Sequence, residues 1–188
     1  MAPKIVLASA SPSRLRLLTS AGIKPTVVVS GVDEEDVAYS QLTPRELVTA
    51  LAIVKAHTVR SLIEYPALII GCDSTFEFEG ESLGKPGSAV NAIARAKRLR
   101  GNSGLLHTGH CIIDTRQEIE ISDLASTTVH FTDMSDEEIA DYVASGEPLH
   151  VAGGFTLDGF GSPFIPVIEG DYTNVVGIDR KSTRLNSS

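Results

Sequence analysis

Apolar residues in this chain fall alternately into short continuous runs and into arcs of helical spacing. Lys4 to Ala8 is a short run that reads as a strand. Ser11-Pro12 then offers a helix cap, with proline at the first helical position ahead of Leu15, Leu17 and Leu18. A second strand spans Thr26 to Ser30 and leads into the acidic stretch Asp33 to Asp36. Thr43-Pro44-Arg45-Glu46 is a capping box for a long helix reaching about Glu64, and Ala67 to Cys72 reads as a buried strand. Thr75 to Phe78 with Gly80 reads as a separate hairpin arm, and Lys85-Pro86-Gly87-Ser88 opens an alanine-rich helix ending near Arg100-Gly101. Leu105 to Asp114 and Ser122 to Phe131 form an antiparallel pair, and Ser135 with Glu138 caps a short helix running to Ser145. Beyond Gly146, glycines interleaved with Phe155, Phe160, Phe164 and Ile165 mark an ordered loop region. The fold class is therefore α/β, with a mixed sheet and two lobes enclosing a cleft.

Some residues break this pattern. Leu47, Val48, Leu51, Ala52, Val54, Val59 and Leu62 make one apolar arc on the long helix, and Lys55 falls near its middle. A buried ammonium needs a partner, so Lys55 either snorkels to an edge or meets an anion in a cleft; small Ala52 and Ala56 beside it favour the cleft. Asp73 follows the apolar run 67–72, where α/β proteins gather ligands, and is either a base or metal ligand or the cap of a turn. Gly80 to Pro86 is not a phosphate loop, because Pro86 stands where a metal-binding hydroxyl belongs; Lys85 is either a point charge for a phosphate or a solvated lysine. Leu7 to Arg14 joins hydroxyls, a helix N-terminus and a cation, which suits a phosphate or base but also a plain cap with a surface arginine. His107 and His110 lack zinc-ligand spacing and read as structural or surface residues.

Composition narrows the partners. The chain has 188 residues and a net charge of −8, with its basic residues scattered, so nucleic acid is not expected as a partner. A local group of cations still attracts a small triphosphate within a Debye length of about 8 Å. No apolar run approaches the roughly 20 residues of a membrane span, and the N-terminus lacks a secretory pattern, which predicts a cytoplasmic protein. Cys72 and Cys111 read as buried reduced thiols.

Taken in order, LASASPSR, VDE at 32–34, Lys55, CDS at 72–74, LGKP at 83–86, HTGHC at 107–111 and GEP…AGGF…GFGSPFI…GDYTNVVG closely resemble the Maf family. The resemblance runs from the first strand to about Ile178. It implies an elongated, twisted mixed sheet flanked by helices. It also implies a nucleoside triphosphate pyrophosphatase, often a homodimer, that cuts between the α and β phosphates with a divalent cation such as Mg²⁺, Mn²⁺ or Co²⁺. Asp73 matches the family's proton acceptor, while Ser9, Arg14, Glu34, Lys55 and Lys85 match residues that line the cleft and handle phosphates, metal or water. Glu34 and Asp73 are the metal-ligand candidates, since hard cations prefer oxygen. Ser13, Ser74 and Asp158 match positions associated with base choice and depart from both the dTTP/UTP set (Arg, Thr, Gln) and the 7-methyl-GTP set (Trp, Gln, Glu). The expected substrates are thus nucleoside triphosphates, standard or modified, with no base assigned.

One catalytic domain is expected over residues 1–179, followed by a polar tail, 180–188, that is disordered or foreign. Where relatives carry a leucine-rich last helix this chain has that tail, so lower stability is expected. Two rival readings are a cell-division regulator that binds nucleotide with little catalysis and a phosphatase releasing inorganic phosphate.

Overall fold

The computed structural model describes residues 3–179 and 181. The expected tail at 180–188 therefore lies outside the described residues, apart from Lys181. The strands are β1 (Lys4–Leu7), β2 (Thr26–Val27), β3 (Ala67–Phe78), β4 (Glu81–Leu83), β5 (Ser103–Asp114), β6 (Ile119–His130) and β7 (Val167–Glu169). The helices are α1 (Pro12–Ser20), α2 (Pro44–Leu62), α3 (Ala89–Leu99), α4 (Asp136–Ala144) and α5 (Tyr172–Val176). The strands form a mixed sheet in the order β2-β1-β3-β5-β6-β7, with β4 paired to β3 as a hairpin. Pairing is parallel around β1 and antiparallel from β3 onward.

The helix starts follow local chemistry. Ser11, Thr43, Ser88 and Ser135 each accept a hydrogen bond from a first-turn N–H, and Glu46 and Glu138 complete the two expected capping boxes. The strands depart more from expectation. β2 is shorter than expected, and the expected break after Cys72 does not exist: β3 runs unbroken through Asp73 to Phe78. Its polar middle remains strand because each polar group finds a partner. Asp73 pairs in register with Gly109, Ser74 meets Arg14 and Thr108, and Thr75 meets Ser82. β3 turns into β4 through Glu79 and Gly80, both at positive φ, the two-residue turn whose twist matches the strands.

The core lies in separate clusters along the sheet. One, under α3 and α4, contains Phe76, Leu106, Ile139 and Phe155; the others surround β1, with Ile69, Ala52 and Val59 on one face and Leu7, Leu18 and Ile178 on the opposite face. These are the two lobes, and the cleft opens between them, lined by Ala8 and Leu51 from one side and Leu106 and Phe155 from the other. Leu62, expected in the apolar arc of α2, is 59% exposed, and the buried part of the arc ends at Val59. Among the described residues no helix is long and apolar enough to cross a membrane.

α2 sits unusually close to β3 and β5. A Cβ on Gly71 would lie 2.3 Å from the carbonyl oxygen of Ala52, and one on Gly109 would lie 2.2 Å from that of Val48. Both obstacles are helix backbone, which cannot swing aside as a side chain would. Gly109→Ala is therefore expected to push α2 outward and lower unfolding stability by about 2 kcal/mol. Urea denaturation would check this, and an unchanged midpoint would show that the contact is looser than described.

Candidate active site

Lys55 is the element on which the site is built. It lies on the sheet-facing side of α2 between Ala52 and Ala56 and is only 6% exposed. Its ammonium donates to Oδ1 of Asp73 at 2.6 Å and to Oε1 of Glu34 at 2.5 Å. The Lys85 ammonium lies 3.8 Å from Oε2 of Glu34 and is largely in water. Residues from α2, β3, the loop after β2 and the loop after β4 thus meet at one place. Of the two readings left open for Lys55, the structure selects the cleft over the edge.

The two carboxylates sharing this ammonium are driven in opposite directions. Burial pushes the Asp73 carboxyl above its ordinary range, against the pull of the Lys55 and Arg14 charges. Burial works the same way on Glu34, but there the Lys55 hydrogen bond and the charges of Lys55, Lys85 and Arg14 prevail, and the group ends below its ordinary value. The two acids are thereby set apart, with Asp73 the more basic of the pair.

Arg14 forms the adjacent wall. It is 8% exposed rather than a surface arginine, and its Nε donates to the Gly177 carbonyl at 2.8 Å. One terminal nitrogen donates to Ser9 Oγ and the Cys72 carbonyl, each at 3.0 Å; the other reaches Ser74 Oγ at 2.8 Å. Ser9 accepts both from Arg14 and from the Ser11 N–H, which leaves its own hydroxyl proton for an anion. Ser74 also shares a hydrogen bond of 2.9 Å with the Thr108 hydroxyl, which reaches the Asn174 carbonyl at 3.4 Å. Ser13 and Asp158 are joined through a residue the sequence reading did not single out: Arg16 donates to Ser13 Oγ at 3.0 Å and to Asp158 at 2.9 Å.

All the expected site residues, Ser9, Ser13, Arg14, Glu34, Lys55, Asp73, Ser74, Lys85 and Asp158, line one cleft of about 730 Å³. That volume suits a nucleotide-sized ligand. Among the described residues no group of three or more His, Cys, Asp or Glu side chains is placed to hold a metal. Glu34 and Asp73 still fit a hard cation of the magnesium type, which takes one or two carboxylates and fills its remaining positions with water and phosphate oxygens.

His107 and His110 are both buried, so of the two readings left open for them the structural one stands. His107 bonds to Ser126 and Glu77, and His110 accepts from the Asp179 N–H at 2.9 Å. Cys72 and Cys111 are free and buried, and burial pushes their thiols up to about 11 and about 12, outside nucleophilic chemistry.

The profile of the family described as Maf-like protein matches residues 4–185. The chain belongs to the Maf family. Its similarity to individual Maf relatives is high along nearly the whole chain. A Streptomyces avermitilis protein is 54% identical over 182 residues, covering 96% of this chain and 87% of its own. A Nostoc punctiforme protein is 49% identical, covering 94% and 88%, and one from Prochlorococcus marinus strain MIT 9303 is 48% identical, covering 93% and 92%. All three are named nucleoside triphosphate pyrophosphatase.

His110 supplies a pH signature for this Maf chain. Burial first, and then the Arg14 charge, lower its pKa from 6.5 to about 4. Between those values the unfolded chain takes up a proton that the folded protein refuses, so stability falls as pH drops through that window, by roughly 3 kcal/mol in all. Urea midpoints measured from pH 7 down to 4 should show a shallower decline in His110→Gln than in the wild type. Parallel declines would remove His110 as the source.

Proposed function

We propose that this protein hydrolyses nucleoside triphosphates to the monophosphate and pyrophosphate, with standard or modified bases as substrates. The observation that carries this reading is the Glu34–Lys55–Asp73 bridge, which sets a buried, unusually basic carboxylate beside cations in a cleft of nucleotide size. The names of the Maf relatives agree with it.

Each residue has a part in the proposed reaction. Lys85, the most exposed cation of the group, draws in the polyphosphate, and the Ser9 hydroxyl and the helix start behind it hold an anionic oxygen. Asp73 takes the proton of the attacking water as its oxygen bonds to phosphorus, and the pyrophosphate departs with the bridging oxygen. Lys55 holds Asp73 in place and stabilises the charge that builds on the phosphoryl oxygens. Glu34 stays ionised and, with Asp73, would hold a divalent cation such as Mg²⁺, Mn²⁺ or Co²⁺, which when bound neutralises the polyphosphate. A carboxylate pair facing a polyphosphate is otherwise repulsive, which supports the metal requirement. We place the protein in the cytoplasm, where free thiols such as Cys72 and Cys111 persist.

Product analysis with a panel of triphosphates and each of the three cations tests the reading. Pyrophosphate plus monophosphate is the expected outcome; inorganic phosphate alone would indicate a phosphatase, and binding without turnover a regulator. Asp73→Asn should lower kcat by about a hundredfold or more with little change in nucleotide binding. Equal losses of binding and turnover would remove it as the base.

A further inference from the structure

One wall of the cleft, residues 155–158, belongs to a loop whose regular structure is the 3-10 turn Ser162–Phe164. Apolar packing pins its two ends. Phe155 packs edge-on against Phe76 and Phe131, with ring centroids 5.1 and 5.0 Å apart, and Ile165 is buried in the same core. Between these pins the loop wraps a single carboxylate. Glu147, at the start of the neighbouring turn Glu147–His150, accepts through Oε1 from the Thr156 hydroxyl and from the Gly161 N–H at 3.1 Å, and through Oε2 from the Phe160 N–H at 3.0 Å. The Tyr142 hydroxyl accepts from the Thr156 N–H at 3.1 Å on the same side.

The fit leaves no slack. A Cβ on Gly159 would lie 2.2 Å from Oε2 of Glu147, and one on Gly161 would lie 2.6 Å from both the Thr156 carbonyl and the Tyr142 hydroxyl. Hydrogen bonds to an ionised acceptor are roughly twice as strong as neutral ones, so this carboxylate holds the stretch between the two apolar pins at Thr156, Phe160 and Gly161. The segment bears on an apolar part of the cleft: Phe155, Leu157, Leu106 and Val175 line it and pack in one core cluster, while the lysines lie with Glu34 and Asp73. Its one charged group there, Asp158, repels phosphate and is already tied to Arg16. Such a surface suits a flat base rather than a polyphosphate.

We propose that Glu147 is a positioning residue for base selection, fixing the loop that places Leu157 and Asp158 against the nucleobase. This rests on the reading of the cleft as a nucleoside triphosphate site. The test measures kcat and KM for wild type, Glu147→Ala, Glu147→Gln and Thr156→Val on triphosphates that share one sugar and differ only in the base. Glu147→Ala should raise KM for the preferred triphosphate about fivefold or more and flatten the ranking of bases, with kcat held within about twofold. Glu147→Gln should retain part of the ranking, since its amide oxygen still accepts, and Thr156→Val, which removes one donor, should shift it less but in the same direction. An unaltered ranking in Glu147→Ala, or a kcat loss equal for every base, overturns the proposal; if that variant does not fold, Thr156→Val decides by the same criterion. A wild type that turns over no triphosphate would defeat the reading of the cleft and this inference with it. A wild type that is active beside a variant of unchanged ranking defeats this inference alone.

Discussion

The site depends on an ammonium held out of water between two carboxylates. An uncompensated charge at the depth of Lys55 would be strongly unfavourable, and so would Asp73 without a cation beside it. Each makes the burial of the other tolerable, and neither is neutralised completely. Burial leaves Asp73 more basic than an ordinary aspartate, while Glu34, nearer the solvent and flanked by two lysines, becomes less so. The difference between the two acids arises from depth and from the second lysine: both share Lys55, but Asp73 is the more deeply buried and only Glu34 also has Lys85 beside it.

That depth is set by the approach of α2 to the sheet. Gly109 is the register partner of Asp73, and Gly71 precedes it by two residues on the same face of β3. With no side chains at these two places the helix backbone comes down onto the strands, and Lys55 reaches Asp73 from above. The chemistry therefore rests on two residues that carry no functional group. The opposite face of β3 serves a different purpose, because Ser74 turns toward Arg14 and away from Lys55.

What could be read from the sequence was mostly what is local. The capping boxes at Thr43 and Ser135 involve neighbours three residues apart, and both form as expected. Lys55 was legible because a charge in an apolar arc violates the helical period, but its partners, 18 and 21 residues away, leave no trace in spacing. Only the ordered series of Maf motifs brought those residues together on paper. The false break after Cys72 has a related cause. Polar residues inside a strand look like its end unless their distant partners, such as Arg14 at 60 residues and Thr108 at 34, are known. Arg16 was passed over for the same reason: its tie to Asp158 spans 142 residues. Glu147 lay in a quoted motif, yet nothing in the spacing revealed that a loop would close around it.

Arg14 ties the Gly177 carbonyl to the turn that follows the first strand, across a separation of 163 residues. A chain emerging from the ribosome can form α1, α2 and the central hairpins well before that carbonyl exists. Its binding pocket is nonetheless unfinished until the far end docks, so the nascent protein has most of its architecture before it has its chemistry.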